Sequence, residues 1–159
     1  MNCFGKAAQL LASRPHFRAE LAAKLRQREF PDDEIAAALD RLEAQGYLDD
    51  RKAAAGFVAH RLERGGEGKL RLRAELARRG APSDAIDEAL AGLDEEDDQA
   101  AAREAAERWR RQKTVDAQAD LSQKDAAALA RHLARKGFSP RAIVAVLKTP
   151  LEDFEPEPE

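Results

Sequence analysis

The chain is poor in what most folds and most active sites are built from. Cys3 is the only cysteine among 159 residues, which excludes an intramolecular disulfide framework and a cysteine-based zinc cluster and fits a reducing compartment. One Trp, one Tyr and four Val leave too few β-branched and aromatic residues for a sandwich or a barrel. The longest central stretch without a charge or strong polar group, Ala53 to Ala59, is far too short to cross a bilayer. Met1 to Arg14 carries no apolar run followed by a small-residue cleavage site, so no signal peptide is expected and a cytoplasmic location is. Leu, Ile, Val and Phe together number only 31, and neither sign of charge dominates, with 27 Lys and Arg against 30 Asp and Glu. Low apolar content leads to disorder when net charge is high or patterning poor. Neither holds here.

What the chain has is alanine, at 34 residues, together with Leu, Arg and Glu, a composition that favours helices. It also has a repeat. Leu21, Leu25, Ile35 and Leu39 follow the spacing L-x3-L-x9-I-x3-L, which returns in Leu72, Leu76, Ile86 and Leu90 and again in Leu129, Leu133, Ile143 and Leu147. Apolar residues four apart share a helical face, so each copy reads as two helices joined by a tight turn. Gly80 followed by Pro82-Ser83-Asp84 supplies a stop and a start in the second copy. In the third, Gly137 ends one helix while Ser139 caps the next and Pro140 takes its first position. The first copy uses Phe30-Pro31-Asp32-Asp33, without a glycine.

A further helix follows each of the first two pairs. Asp49 caps one reaching about Arg64, with Phe57 and Val58 inward, and the acidic run Asp94 to Asp98 opens another to about Lys113, anchored by Trp109. The expectation is an all-α, elongated tandem array of three-helix repeats, at residues 1–65, 66–116 and 117–150, the third one truncated. Residues 151–159 form an acidic, proline-punctuated tail expected to be disordered. Elongated helical arrays work by lying along a partner, and few are enzymes.

The net charge of −3 conceals a lopsided distribution. Nine Lys or Arg stand against three Glu between Arg51 and Gly80, and five against two between Arg103 and Lys113. Acidic stretches flank this basic middle, which suits phosphates or an acidic protein surface. Catalytic and metal-binding constellations do not assemble: His16, His60 and His132 lie in different copies, and the Gly65-Gly66-Glu67-Gly68-Lys69 loop matches no phosphate-binding pattern. No cofactor or metal is expected. His60 reads as an exposed helix residue, Cys3 as an incidental thiol at a mobile terminus, and Tyr47 and Trp109 as core anchors.

Gly46-Tyr47-Leu48-Asp49-Asp50, followed by Ala54, Phe57-Val58 and Arg61, resembles the signature of the RecX family of regulatory proteins. So do the continuation through Gly65 to Lys69, the run Glu75-Leu76-Ala77-Arg78-Arg79-Gly80, and the closing Leu133 to Ser139. Two departures stand out: Ala53 where the family usually has an aromatic, and Glu29 where a glycine is expected before Phe30. The resemblance implies a monomeric, non-enzymatic negative regulator of recombination and DNA repair. Its partner would be the RecA filament on single-stranded DNA, whose groove it occupies and whose ATPase and strand exchange it inhibits, with weak direct DNA binding and no membrane association. The contact residues expected on that basis are Arg61, Lys69, Arg71, Arg73, Arg78 and Arg79, then Arg103, Arg110 and Arg111. Gly46, Tyr47, Leu48, Asp49 and Asp50 are assigned to structure, as a turn, a core aromatic and a helix cap. The alternative is a general nucleic-acid-binding helical module without RecA specificity.

Overall fold

The computed structural model describes residues 1–116 and 119–147. Every regular element among them is an α-helix: α1 (Cys3–Ser13), α2 (Arg18–Arg26), α3 (Asp32–Ala44), α4 (Asp50–Arg64), α5 (Lys69–Arg78), α6 (Ser83–Leu90), α7 (Glu95–Gln112), α8 (Gln123–Arg135) and α9 (Pro140–Leu147). The acidic tail 151–159 and its expected disorder lie outside the described residues.

The repeat residues are the core. Leu21, Leu25, Ile35, Leu39, Leu72, Leu76, Ile86, Leu90, Leu129, Leu133 and Ile143 are all buried, and Leu147 is half-buried. Full burial of such a side chain contributes about 1.5–3 kcal/mol of transfer free energy, which is why the spacing is so regular. The caps also follow the sequence. Ser139 Oγ accepts from Ala142 N, Asp49 Oδ1 accepts from Lys52 N, and Asp94 and Asp97 form a reciprocal capping box at the start of α7.

One turn geometry recurs in all three helix pairs. The residue after the left-handed position donates its N–H back to the last core leucine: Phe30 to Leu25 O (3.3 Å), Ala81 to Leu76 O (3.0 Å) and Phe138 to Leu133 O (3.2 Å). The left-handed residue is Gly80 (φ +92°) or Gly137 (φ +84°), but in the first pair it is Glu29 (φ +63°). A side chain there clashes with its own backbone, at a cost of about 1–2 kcal/mol. Glu29→Gly is therefore expected to raise stability by about 0.5–1 kcal/mol after the entropy of the added glycine is counted, seen as a higher urea midpoint. An unchanged or lower midpoint would show that the turn tolerates the side chain.

Three features were not foreseen. Helix α1 precedes the first pair, with Asn2 Oδ1 capping Gly5 N (2.7 Å), and Cys3 is buried in the first core rather than lying on a mobile terminus. Tyr47 is not a core aromatic: it is 71% exposed. Gly46 takes the left-handed turn after α3 (φ +77°), Tyr47 N closes the turn on Leu42 O (2.9 Å), and the next side chain, Leu48, is the one that enters the core. Finally, α1 packs with α2 and α3 as α7 packs with α8 and α9, so the third helix of a group leads its pair. Counted that way, α7, α8 and α9 make a third group of three.

By packing, the described residues divide into a unit of residues 1–59 and 74–90 and a second of residues 60–73, 91–116 and 119–147. The first has a core of Cys3, Ala7, Leu21, Leu25, Ile35, Ala38, Leu39, Leu42 and Leu48. Part of the second packs around Trp109, with Leu129, Leu133, Phe138 and Ile143.

Candidate basic interface

Several of the basic residues are needed by their own chain. In the second unit, Arg61 Nη1 donates to both oxygens of Glu67 (2.6 and 2.8 Å), and Arg71 Nε pairs with the same carboxylate (3.2 Å). Arg61 and Glu67 are both largely screened from water, so this pairing outweighs an ordinary surface ion pair. It folds the 65–68 loop back on the end of α4. Gly65 and Gly66, both left-handed (φ +70° and +83°), lie against the Arg108 guanidinium, where a Cβ at Gly66 would sit 3.1 Å from Nη1.

The start of α5 is fixed from three sides. Gly68 N donates to Lys136 O (2.7 Å), Lys69 N to Asp98 Oδ1 (3.0 Å) and Leu70 N to Gly137 O (3.0 Å). Three N–H groups that a helix start leaves orphaned thereby find acceptors in the second unit. Asp98 is 7% exposed, and its other oxygen accepts from Ser139 N (3.0 Å) at the start of α9. Lys69 itself extends its Nζ to Leu93 O (2.7 Å). Arg110 Nη1 donates to Asp116 O (2.7 Å) and Ala119 O (3.0 Å), holding the chain that follows α7.

Of the nine expected contact residues, Arg61, Lys69, Arg71 and Arg110 thus have internal roles. Arg73, Arg103 and Arg111 stand exposed in the second unit. In the first, Arg78 is 77% exposed at the end of α5, with only a 3.9 Å approach to Glu75, while Arg79 lies over the Phe57 ring at 4.9 Å. Sequence spacing does not show the contacts of Lys69, whose partners Leu93 and Asp98 lie 24 and 29 residues on.

The Gly46 to Asp50 stretch is structural in a way its sequence does not reveal. Asp50 opens α4, yet its Oδ1 accepts from Arg18 N (2.8 Å) and so caps α2, whose own Phe17 has no capping side chain. Arg18 also pairs with Asp40 (2.8 Å) and Glu43 (3.0 Å). Burial raises the Asp50 pKa despite this N–H bond. Asp98 does for α5 what Asp50 does for α2, one repeat later.

The three histidines remain apart. His60 is exposed. His16 is buried, with Nδ1 on Arg14 O (2.9 Å) and Nε2 accepting from Lys24 Nζ (3.0 Å), and burial holds it neutral, below its ordinary pKa. Burial also lowers the His132 pKa, with Lys136, Arg135 and Lys113 adding to the effect. Among the described residues no group of His, Cys, Asp or Glu could hold a metal ion, and no helix is long and apolar enough to cross a membrane.

These features define an all-α protein of repeated helix pairs, cross-capped by the carboxylates of Asp50 and Asp98 and carrying exposed arginines. Residues 3–42 match the family model of the first three-helix domain of RecX, and residues 49–90 that of the second. The regulatory protein RecX of Mycolicibacterium vanbaalenii is 40% identical over 133 residues, covering 82% of this chain and 72% of that one. The RecX of Leptothrix cholodnii is 37% identical over 151 residues, covering 95% and 89%. The crystal structure of RecX from Lactobacillus salivarius has the same fold, with a TM-score of 0.78 at 19% identity over 92% of each chain. The chain belongs to the RecX family of regulatory proteins.

Proposed function

We propose that this chain is a non-enzymatic, cytoplasmic negative regulator of recombination and DNA repair that binds, as a monomer, the RecA filament on single-stranded DNA and inhibits its ATPase and strand exchange. The observation that carries the reading is the family relationship along nearly the whole chain, 95% of it against the Leptothrix protein. The exposed arginines support it, Arg78 on the first unit and Arg103 and Arg111 on the second, since such charges suit a filament presenting protein and phosphate together. Arg61, Lys69, Arg71 and Arg110 act in this reading by shaping the surface.

The deciding experiment titrates the protein into RecA hydrolysing ATP on single-stranded DNA, beside a matched titration onto the bare DNA. Inhibition well below one protein per RecA, with weak bare-DNA binding, is the expected result. Tight, salt-sensitive binding to bare DNA without inhibition would favour a general nucleic-acid-binding module instead. Arg78→Glu is expected to leave helicity and melting unchanged and to weaken filament inhibition by about fivefold or more, as loss of an exposed charge contact does. Full inhibition by the variant would remove Arg78 from the contact surface.

A further inference from the structure

The second unit holds a cation that the fold positions but does not use. Arg108 lies in the last turns of α7, and its guanidinium rests against the Gly65-Gly66 pair that follows α4. A Cβ built at Gly65 would sit 3.6 Å from Arg108 Nη2, and one at Gly66 would sit 3.1 Å from Nη1. Both glycines take a left-handed φ, so the loop carries no side chain where the guanidinium lies. All of these residues belong to one unit. Arg108 is exposed, and a guanidinium offers five N–H donors. None of them makes a hydrogen bond or ion pair with a described residue. Glu104, four residues earlier on the same face, is placed for the favourable helical pairing, yet no ion pair joins the two.

The loop supplies no counter-ion either. Its own carboxylate, Glu67, is matched by two cations, Arg61 and Arg71, a pairing that holds the loop in place and leaves positive charge in surplus. Gly65 N donates back to Arg61 O (3.0 Å), whereas the N–H groups of Gly66 and Glu67 have no acceptor among the described residues. Arg64, next to the loop, and Arg111, one turn beyond Arg108, are exposed and likewise have no partner among the described residues. The loop and the end of α7 thus bring three guanidinium groups and two open N–H groups to one part of the surface. A carboxylate accepts hydrogen bonds mainly in its own plane. The tetrahedral oxygens of a phosphodiester can meet backbone and side-chain donors at once, and bare glycine backbone lets a sugar–phosphate chain come close.

We propose that Arg108, together with Arg64, Arg111 and the Gly65-Gly66 backbone, forms a contact for the phosphodiester backbone of a single-stranded nucleic acid. This rests on the regulator reading above and names the part of the molecule that meets the strand. Arg64 and Arg108 stand outside the contact residues expected from the sequence. Their assignment comes from the glycine loop and from the donors it leaves open.

Binding of the full chain to a fluorescent single-stranded oligonucleotide, followed by anisotropy over a series of salt concentrations, tests the contact. Arg108→Gln is expected to weaken binding several-fold and to reduce the log–log salt slope by about 0.7, the share of one phosphate, with circular dichroism unchanged. Arg108→Lys keeps the charge but not the planar fork, so it should retain the slope while still weakening binding. Glu104→Gln removes a repelling carboxylate from the same face and should tighten binding. Arg111→Gln, at an exposed position without a partner, gives the same reading if Arg108→Gln disturbs folding. A slope and affinity unmoved in Arg108→Gln and Arg111→Gln would overturn the proposal. So would binding too weak to measure at low salt, or displacement by polyglutamate as readily as by unlabelled strand, because the surface would then fit an acidic protein. RecA inhibition by the unaltered chain is read separately. Its absence removes the regulator reading, whereas its persistence beside any of these failures keeps that reading and moves the strand contact elsewhere.

Discussion

Gly68→Ala is expected to lower the stability of the second unit by about 4 kcal/mol, although it adds a single methyl group. A Cβ at Gly68 would lie 2.3 Å from Gly137 O and 2.5 Å from Phe138 N. Both are backbone atoms, so no side-chain rotation relieves the overlap. Separating the two segments would stretch the bonds from Gly68 N to Lys136 O and from Leu70 N to Gly137 O. Gly68 has no left-handed φ, so the requirement for glycine comes from the approach alone. Gly56 is the control: it lies within α4 with nothing within 4 Å of a built Cβ, and Gly56→Ala should stabilise by about 0.5–1 kcal/mol. Urea unfolding followed by circular dichroism gives both values. Equal, small effects would mean that the backbone contact at Gly68 is looser than its geometry requires.

Asp98→Ala should cost about 3 kcal/mol. Its two oxygens accept from Lys69 N and Ser139 N, at 3.0 Å each, and its burial leaves water no easy way to replace them. Asp98→Asn keeps one carbonyl oxygen and should cost roughly half as much, since one of the two N–H groups then faces an amide donor. The ordering wild type, Asn, Ala in urea midpoint is the expected result. A neutral Asp98→Ala would show that neither helix start depends on this carboxylate.

Local order was legible in the sequence because it is periodic. The L-x3-L-x9-I-x3-L spacing placed eleven buried residues and one half-buried residue, and Ser139 and Asp49 were visible as caps, and Asp94 to Asp98 as a helix start, because each acts within a few residues of itself. The family resemblance agrees with the matched domains, the second of which includes Asp49-Asp50 and Glu75 to Gly80, while Leu133 to Ser139 lies beyond them. Tyr47 was misplaced for a reason of one residue: the left-handed Gly46 turns the chain so that Leu48, not Tyr47, points inward.

The glycines show where local reading stops. Gly80 and Gly137 end helices with positive φ, which their sequence context implies. Each is also approached by the start of an earlier helix, a built Cβ lying 2.9 Å from Ala19 Cβ at Gly80 and 2.2 Å from Arg71 Cβ at Gly137. In the first pair the left-handed position holds Glu29. The sequence by itself therefore determined the three helix pairs and the helices after the first two, the inward faces of the repeat residues and some of the caps, since these depend on neighbours three to five residues away. The tertiary structure alone decided which arginines serve the fold and which face outward, why Asp50 and Asp98 carry carboxylates, and why Gly68 carries no side chain. The answers for Asp50, Asp98 and Gly68 depend on partners 29 to 69 residues distant, brought within 3 Å or so only by packing.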